Sequence, residues 1–274
     1  MRLLIAVDME GISGVVNWDQ VNIEHPEYQR FRPIMTQDVN AAIRGAFDGG
    51  ATQVVVSDGH WNSTNILIEQ LDPRARLNSG TPAPFSMVQG VDQGVDAVLF
   101  IGYHARMGTA HAILDHTWSS ARVENLWLNG RVAGETALNG AVCGAFGLPV
   151  LLVSGDQAVC AEAAQWIDEI TTVQVKRAVG RNAAECLPLA EAQHLIETRT
   201  AQAVRNFLAG VAPAPLKLTT PVTLAIEFIY SDMADKAALM PGSTRCDGRK
   251  VEYTAPDMPS AYQAFRSLVT LAQR

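Results

Sequence analysis

Four short apolar runs, each followed by Asp, Ser or Gly, constrain the fold of this chain more than any other feature. They are Leu3–Val7, Val54–Val56 (opened by Ala51-Thr52-Gln53), Ala97–Ile101 and Val150–Val153. β-Branched or Leu-rich segments this short, with no alternating polar residues, read as strands buried on both faces. Between them lie longer amphipathic stretches, 34–48, 86–93, 135–146 and 158–169, which read as helices. Gly49-Gly50 stops the first of these, and Gly147 with Pro149 stops the third. Such alternation implies right-handed β-α-β crossovers, hence an α/β fold with a mostly parallel sheet and flanking helices.

The pattern changes twice. Asn129-Gly130, flanked by 122–128 and 131–133, is a strong hairpin signal. Beyond about residue 180 the spacing predicts a long helix over 189–208 and strands at 216–220 and 222–229. A short helix over 232–239, a strand near 249–253 and a last helix over 260–273 follow. The expected organisation is an α/β domain over 1–180 with a smaller α+β domain, 181–274, packed on it.

Composition removes several classes of function. With 48% hydrophobic and 18% charged residues, the chain is not a disordered one. A net charge of −7 without any run of Lys or Arg argues against a nucleic-acid partner. No apolar stretch approaches the roughly 18 residues of a membrane span. Only five apolar residues follow Met1-Arg2, too few for a secretory signal core, so a cytoplasmic location is expected. The four cysteines, at 143, 160, 186 and 246, contain no Cys-x-x-Cys pair and read as buried thiols in a reducing compartment.

In parallel sheets, ligands bind beyond the carboxyl ends of the strands. The first run leads into Asp8-Met9-Glu10-Gly11, the second into Asp58-Gly59-His60, and the third into Gly102-Tyr103-His104; past the hairpin, Gly134-Glu135 opens a helix. On an extended segment Asp8 and Glu10 point to the same side. Two adjacent carboxylates repel each other unless a cation lies between them. Taken singly, an Asp-x-Glu, a loop histidine or a first-turn glutamate is ordinary. Together they suggest a metal centre, and mixed oxygen and imidazole donors suit Zn²⁺, Mn²⁺ or Fe²⁺. Five ligands are too many for one tetrahedral zinc and about right for two metals sharing a carboxylate. His116, in Leu114-Asp115-His116-Thr117-Trp118, is a candidate proton carrier or transition-state donor, with Asp115 and Thr117 as possible orienting partners. His25, His111 and His194 read as structural or loop histidines. No G-x-S-x-G, His-Glu-x-x-His, P-loop or G-x-G-x-x-G motif occurs.

Asp8-Met9-Glu10-Gly11, Ser57-Asp58-Gly59-His60, Gly102-Tyr103-His104-Ala105, Leu114-Asp115-His116-Thr117 and Gly134-Glu135, in this order, resemble the D-aminopeptidases of the bacterial dipeptide-permease type. The resemblance is sharp to about residue 160 and looser beyond. It implies a dinuclear zinc peptidase with Asp8 bridging two Zn²⁺ per chain. Glu10 and His60 would bind one ion, His104 and Glu135 the other, and His116 would be the catalytic histidine. It also implies short peptides containing D-residues as substrates, and a homodecamer of two stacked pentameric rings. The alternatives are a dinuclear hydrolase of another amide or ester bond, and a metal-binding oligomer without catalysis.

Overall fold

Every second residue of a strand faces the same side of its sheet, and in the first strand both sides are apolar. The computed structural model describes residues 1–274. Its first strand, β1 (Arg2–Val7), sends Leu3, Ile5 and Val7 into one apolar cluster and Leu4 and Ala6 into another, all fully buried. Full burial of a Val, Leu or Ile side chain contributes about 1.5–3 kcal/mol. This alternation fixes the register of the strand against layers on both faces.

The chain continues through α1 (Pro26–Gly49), β2 (Gln53–Asp58), β3 (Ala75–Asn78), β4 (Ala97–Ile101), β5 (Val123–Leu128), β6 (Arg131–Ala133), α2 (Glu135–Ala145), β7 (Val150–Asp156) and α3 (Gln157–Trp166). Then come β8 (Thr171–Gly180), β9 (Ala183–Cys186), α4 (Leu189–Leu208), β10 (Val222–Phe228), α5 (Ser231–Ala237), β11 (Ser243–Arg245), β12 (Lys250–Ala255) and α6 (Met258–Leu271). The larger sheet has seven strands in the order β3-β2-β1-β4-β7-β8-β9 and is parallel except for the β8–β9 edge hairpin. The smaller, antiparallel sheet has the order β11-β12-β10-β5-β6. Helices α1 and α4 cover one face of the large sheet; α2, α3, α6 and the small sheet share the apolar cluster on the other. The mostly parallel α/β architecture expected from the four apolar runs is the observed one.

Sheet membership crosses residue 180 in both directions. The β5–β6 hairpin belongs to the small sheet, while β9 and α4 belong with the large one. The two units expected, 1–180 and 181–274, thus interleave. Helix α4 lies tightly on α1, because Gly45 and Gly49 let the backbones approach; a Cβ at Gly45 would overlap the carbonyl oxygen of Glu197. No helix is long and apolar enough to cross a membrane.

Local expectations fail where tertiary packing overrides pattern. Helix α1 starts at Pro26, eight residues before its expected start at 34, capped by His25 and running through Pro33. Burial of Tyr28 and Phe31 offsets the backbone donor that Pro33 lacks. The helix expected over 86–93 is a single 3-10 turn, Ser86–Val88, ended before Gly90, whose φ is +101°. Residues 216–220 join neither sheet. Leu216 packs so closely on α2 that a Cβ at Gly144 would overlap its carbonyl oxygen. Cys143 and Cys160 are buried as expected, but Cys186 and Cys246 are exposed, the former on the edge strand β9.

Candidate metal centre

The sheet changes direction at β1. The chain leaves β1 to form β2 on one side and returns to place β4 on the other. A crevice opens at such a point, beyond the carboxyl ends of the strands. Val7 pairs with both Asp58 and Ile101, so the three strands end level. Asp8 follows β1 directly, His60 lies two residues past β2 and His104 three past β4. The β1 and β4 loops touch: Gly11 N donates to Gly102 O at 2.8 Å, and a Cβ at Gly11 would overlap the carbonyl oxygen of Tyr103. Glu135 arrives from the first turn of α2, where the helix N-terminus favours a carboxylate.

All six residues singled out in the sequence meet there and all are buried. His60 Nδ1 lies 3.3 Å from Asp8 Oδ1 and 3.1 Å from Glu10 Oε2. His104 Nε2 lies 3.3 Å from Asp8 Oδ2 and 3.2 Å from Glu135 Oε1. The two oxygens of Asp8 therefore face different histidines. His116 Nε2 stands 3.9 Å from both Glu10 Oε1 and Glu135 Oε1.

Backbone carbonyls, which can only accept, fix the ring tautomers. The second nitrogen of each ring meets one: His60 Nε2 donates to Val21 O (2.9 Å), His104 Nδ1 to Ala105 O (3.0 Å) and His116 Nδ1 to Leu114 O (2.8 Å). In each neutral ring the lone pair then points into the site. His104 Nε2 and Glu10 Oε2 are buried and make no hydrogen bond. Lone pairs and carboxylate oxygens thus converge on shared centres. Asp8, Glu10 and His104 bring donor atoms within 4.8 Å of one another, as do His104, His116 and Glu135. This donor set fits divalent cations that accept oxygen and imidazole ligands.

The electrostatics agree. Burial raises the carboxyl of Asp8, but the His104 and His60 rings set against its two oxygens outweigh it and hold the group well below the usual carboxylate range. Glu10 is lowered as well, by His60 against burial. Burial lowers His60 and His104, yet the acids around them hold both well above an ordinary histidine: Glu10 and Asp8 for His60, Glu135 and Asp8 for His104. The acids demand positive charge, supplied by protons or by metal. His116 is pushed down, first by burial and then by the charge on His104.

Supporting contacts were only partly visible in the sequence. Asp115 and Thr117 do not orient His116. Asp115 pairs with Arg181 at 2.7 Å, and Thr117 Oγ1 accepts from Met107 N. The carbonyl of Leu114, a residue with φ of +49°, orients the ring instead. Asp58 accepts from the backbone of Asn65 and Ile66 and from the side chain of Asn65, which also donates to His60 O; it braces the His60 loop. Trp118 N donates to Glu135 Oε1 at 2.7 Å. Lys176, on β8 and 1% exposed, donates to Glu10 O, Ile12 O and Val15 O at 2.6–2.9 Å, tying down the loop that carries Asp8 and Glu10. No sequence motif marks it, since β8 has no continuous apolar run. The site opens into a cavity of about 760 Å³.

The chain is 39% identical to a D-aminopeptidase of Bacillus subtilis over 275 aligned residues, covering 100% of this chain and 98% of that protein. A solved structure, the Zn-dependent D-aminopeptidase DppA from Bacillus subtilis, a self-compartmentalizing protease, superposes with a TM-score of 0.96 at 39% identity, again over 100% and 98% of the two chains. The D-aminopeptidase family profile matches residues 1–267. With a full-length relative, a matching fold and acids and histidines gathered at the strand ends, the chain belongs to the D-aminopeptidase family of peptide hydrolases.

Proposed function

We propose that this enzyme removes the N-terminal residue, a D-amino acid, from short peptides at a centre of two zinc ions. One observation carries the reading: Asp8 turns one oxygen to His60 and the other to His104, with Glu10 and Glu135 beside them. Asp8 would bridge the ions, Glu10 and His60 would complete one site, and His104 and Glu135 the other. Bound zinc supplies Lewis-acid polarisation of the scissile carbonyl and lowers the pKa of water.

The protein supplies position and proton transfer. Hydrolysis breaks the C–N bond, adds the oxygen of water to the carbonyl carbon and delivers a proton to the leaving amine. With Nδ1–H held by Leu114 O, neutral His116 presents a lone pair at Nε2. That tautomer supports a proton carrier, which accepts at Nε2 and then donates to the amine, over a fixed oxyanion donor. Burial of the six side chains keeps bulk water from screening their charges.

The relative's self-compartmentalizing assembly supports a homo-oligomer here too, and we extend it to a decamer of two stacked pentamers. Four free cysteines support placement in a reducing cytoplasm. The test is activity of zinc-loaded protein on paired D-alanyl and L-alanyl dipeptides, with light scattering for assembly. Hydrolysis of the D-series is expected. Cleavage of neither series refutes the peptidase reading, exclusive cleavage of the L-series refutes the stereochemical one, and a stable monomer refutes the decamer.

A further inference from the structure

The cavity over the acid-rich centre is not acidic throughout. Arg122 and Arg266 line the same cavity as Asp8, Glu10, Glu135 and His116. Neither arginine has a carboxylate partner. Arg266 Nη1 donates to the carbonyls of Ala83 (2.6 Å) and Pro84 (2.8 Å), and its guanidinium carbon lies 5.9 Å from the centre of the Tyr262 ring. Arg122 Nη1 makes one long contact, 3.4 Å, to Val269 O. The Nε and Nη2 groups of both side chains have no protein partner. Elsewhere on the chain Arg44, Arg74, Arg181, Arg249 and Arg274 each hold an acid within 3 Å. Both cavity arginines are half-buried, so their donors face a space partly shielded from water.

The place of Arg122 along the chain limits its distance from the reaction centre, and Arg266 shares the same cavity wall. Trp118 N is hydrogen-bonded to Glu135 Oε1, and Arg122 N donates to Ser119 O at 3.0 Å, closing a turn over Ser119–Arg122. A turn keeps its end Cα atoms within about 7 Å, and one peptide adds about 3.8 Å, so the Cα of Arg122 lies within roughly 11 Å of that of Trp118. Two or three extended residues span about the same length. A short peptide with its first residue at the centre would thus bring its terminal carboxylate among these guanidinium groups. A planar guanidinium matches a carboxylate with paired donors, and one already held by carbonyls loses little freedom on binding it.

We propose that Arg122 and Arg266 bind the free α-carboxylate of a di- or tripeptide, so that the enzyme reads both ends of its substrate. This rests on the aminopeptidase reading above and adds the part of the site that sets substrate length. A peptide capped at its C-terminus would leave the guanidinium groups unpaired.

The test compares zinc-loaded wild type on D-Ala-D-Ala and on the same dipeptide with a C-terminal amide. The expected result is a preference of about 10–100-fold in kcat/KM for the free acid. Arg122→Gln and Arg266→Gln should each lower kcat/KM on the free acid by about tenfold or more, mainly through KM. Both should leave the amide within about threefold of wild type, which also reports that the variants are folded. Arg122→Lys should fall between, keeping charge without the paired donors. Equal wild-type cleavage of acid and amide overturns the carboxylate clamp and needs no variant to do so. Equal losses on both substrates in the variants overturn it as well. Cleavage of neither by wild type overturns the peptidase reading itself, and this inference with it.

Discussion

His104 and His116 stack face to face, their ring centroids 4.0 Å apart and their planes 9° from parallel. One ring turns its free nitrogen to Asp8 and Glu135; the other holds its own 3.9 Å from Glu10 and Glu135. Trp18 and His116 meet edge to face, their ring centroids 5.3 Å apart. The stack gives two adjacent histidines different electrostatic characters, with His104 held high by acids and His116 held low by burial and by His104.

That difference supports the proposal that His116 carries the proton. His116→Ala is expected to stay folded, keep both metals and lose kcat by about 10²–10⁴-fold with little change in peptide binding. The wild-type kcat profile should show a limb below the ordinary histidine range, absent from the variant. Loss of metal in His116→Ala would make it a ligand. A tenfold or smaller fall in kcat at full metal content would remove it from catalysis.

Metal content tests the bridge. Elemental analysis should find two zinc-like ions per chain at saturation, none in Asp8→Ala, and one weakened site in each of His60→Ala and His104→Ala. Since both histidines must release protons to accept metal, zinc affinity should fall as pH drops from about 8 to 6. A single tight ion in wild type would eliminate the dinuclear centre.

Lys176 tests the loop. Replacing it by Met strips the donor from three buried carbonyls, each costing about 1–3 kcal/mol when unsatisfied. Lys176→Met is expected to lose about 3 kcal/mol or more in denaturant unfolding and to weaken zinc binding through Glu10. Unchanged stability would show that the three contacts are replaceable by water.

Asp38 tests a buried charge behind that loop. It accepts from Ser13 N at 2.9 Å, its other oxygen has no partner, and burial pushes its pKa from 3.8 to about 6. A carboxyl raised on folding contributes stability that is complete below its unfolded pKa and is lost as pH rises through the folded one. The shift corresponds to about 3 kcal/mol between pH 3.8 and 6. Asp38→Asn should therefore gain stability relative to wild type as pH rises from about 4 to 6, read as a Tm difference that grows over that range and levels off above it. A Tm difference that is flat across this range would show that Asp38 does not titrate there.

Much of the molecule was legible because burial on both faces leaves a mark in sequence. The central strands β1, β2, β4 and β7 are nearly continuous apolar runs, and the Asp, Glu and His residues just beyond them are the ones the fold collects. Strands β3 and β9 were not legible, being four-residue edges with no buried residue and no apolar run. Strand β8 was missed because its alternation is broken at a bulge, where Val175 and Lys176 are both buried.

The sequence alone thus determined a parallel sheet and which side chains stand at its strand ends, since residue order and hydrophobic period are local properties. Tertiary structure decided which oxygen of Asp8 meets which histidine, which carbonyl fixes each ring, and that Leu114 rather than Asp115 orients His116. It also set two arginines, 144 positions apart in the chain, on the wall of one cavity. Those relationships depend on register between strands and on loops crossing at Gly11 and Gly102, and spacing along the chain carries no record of either.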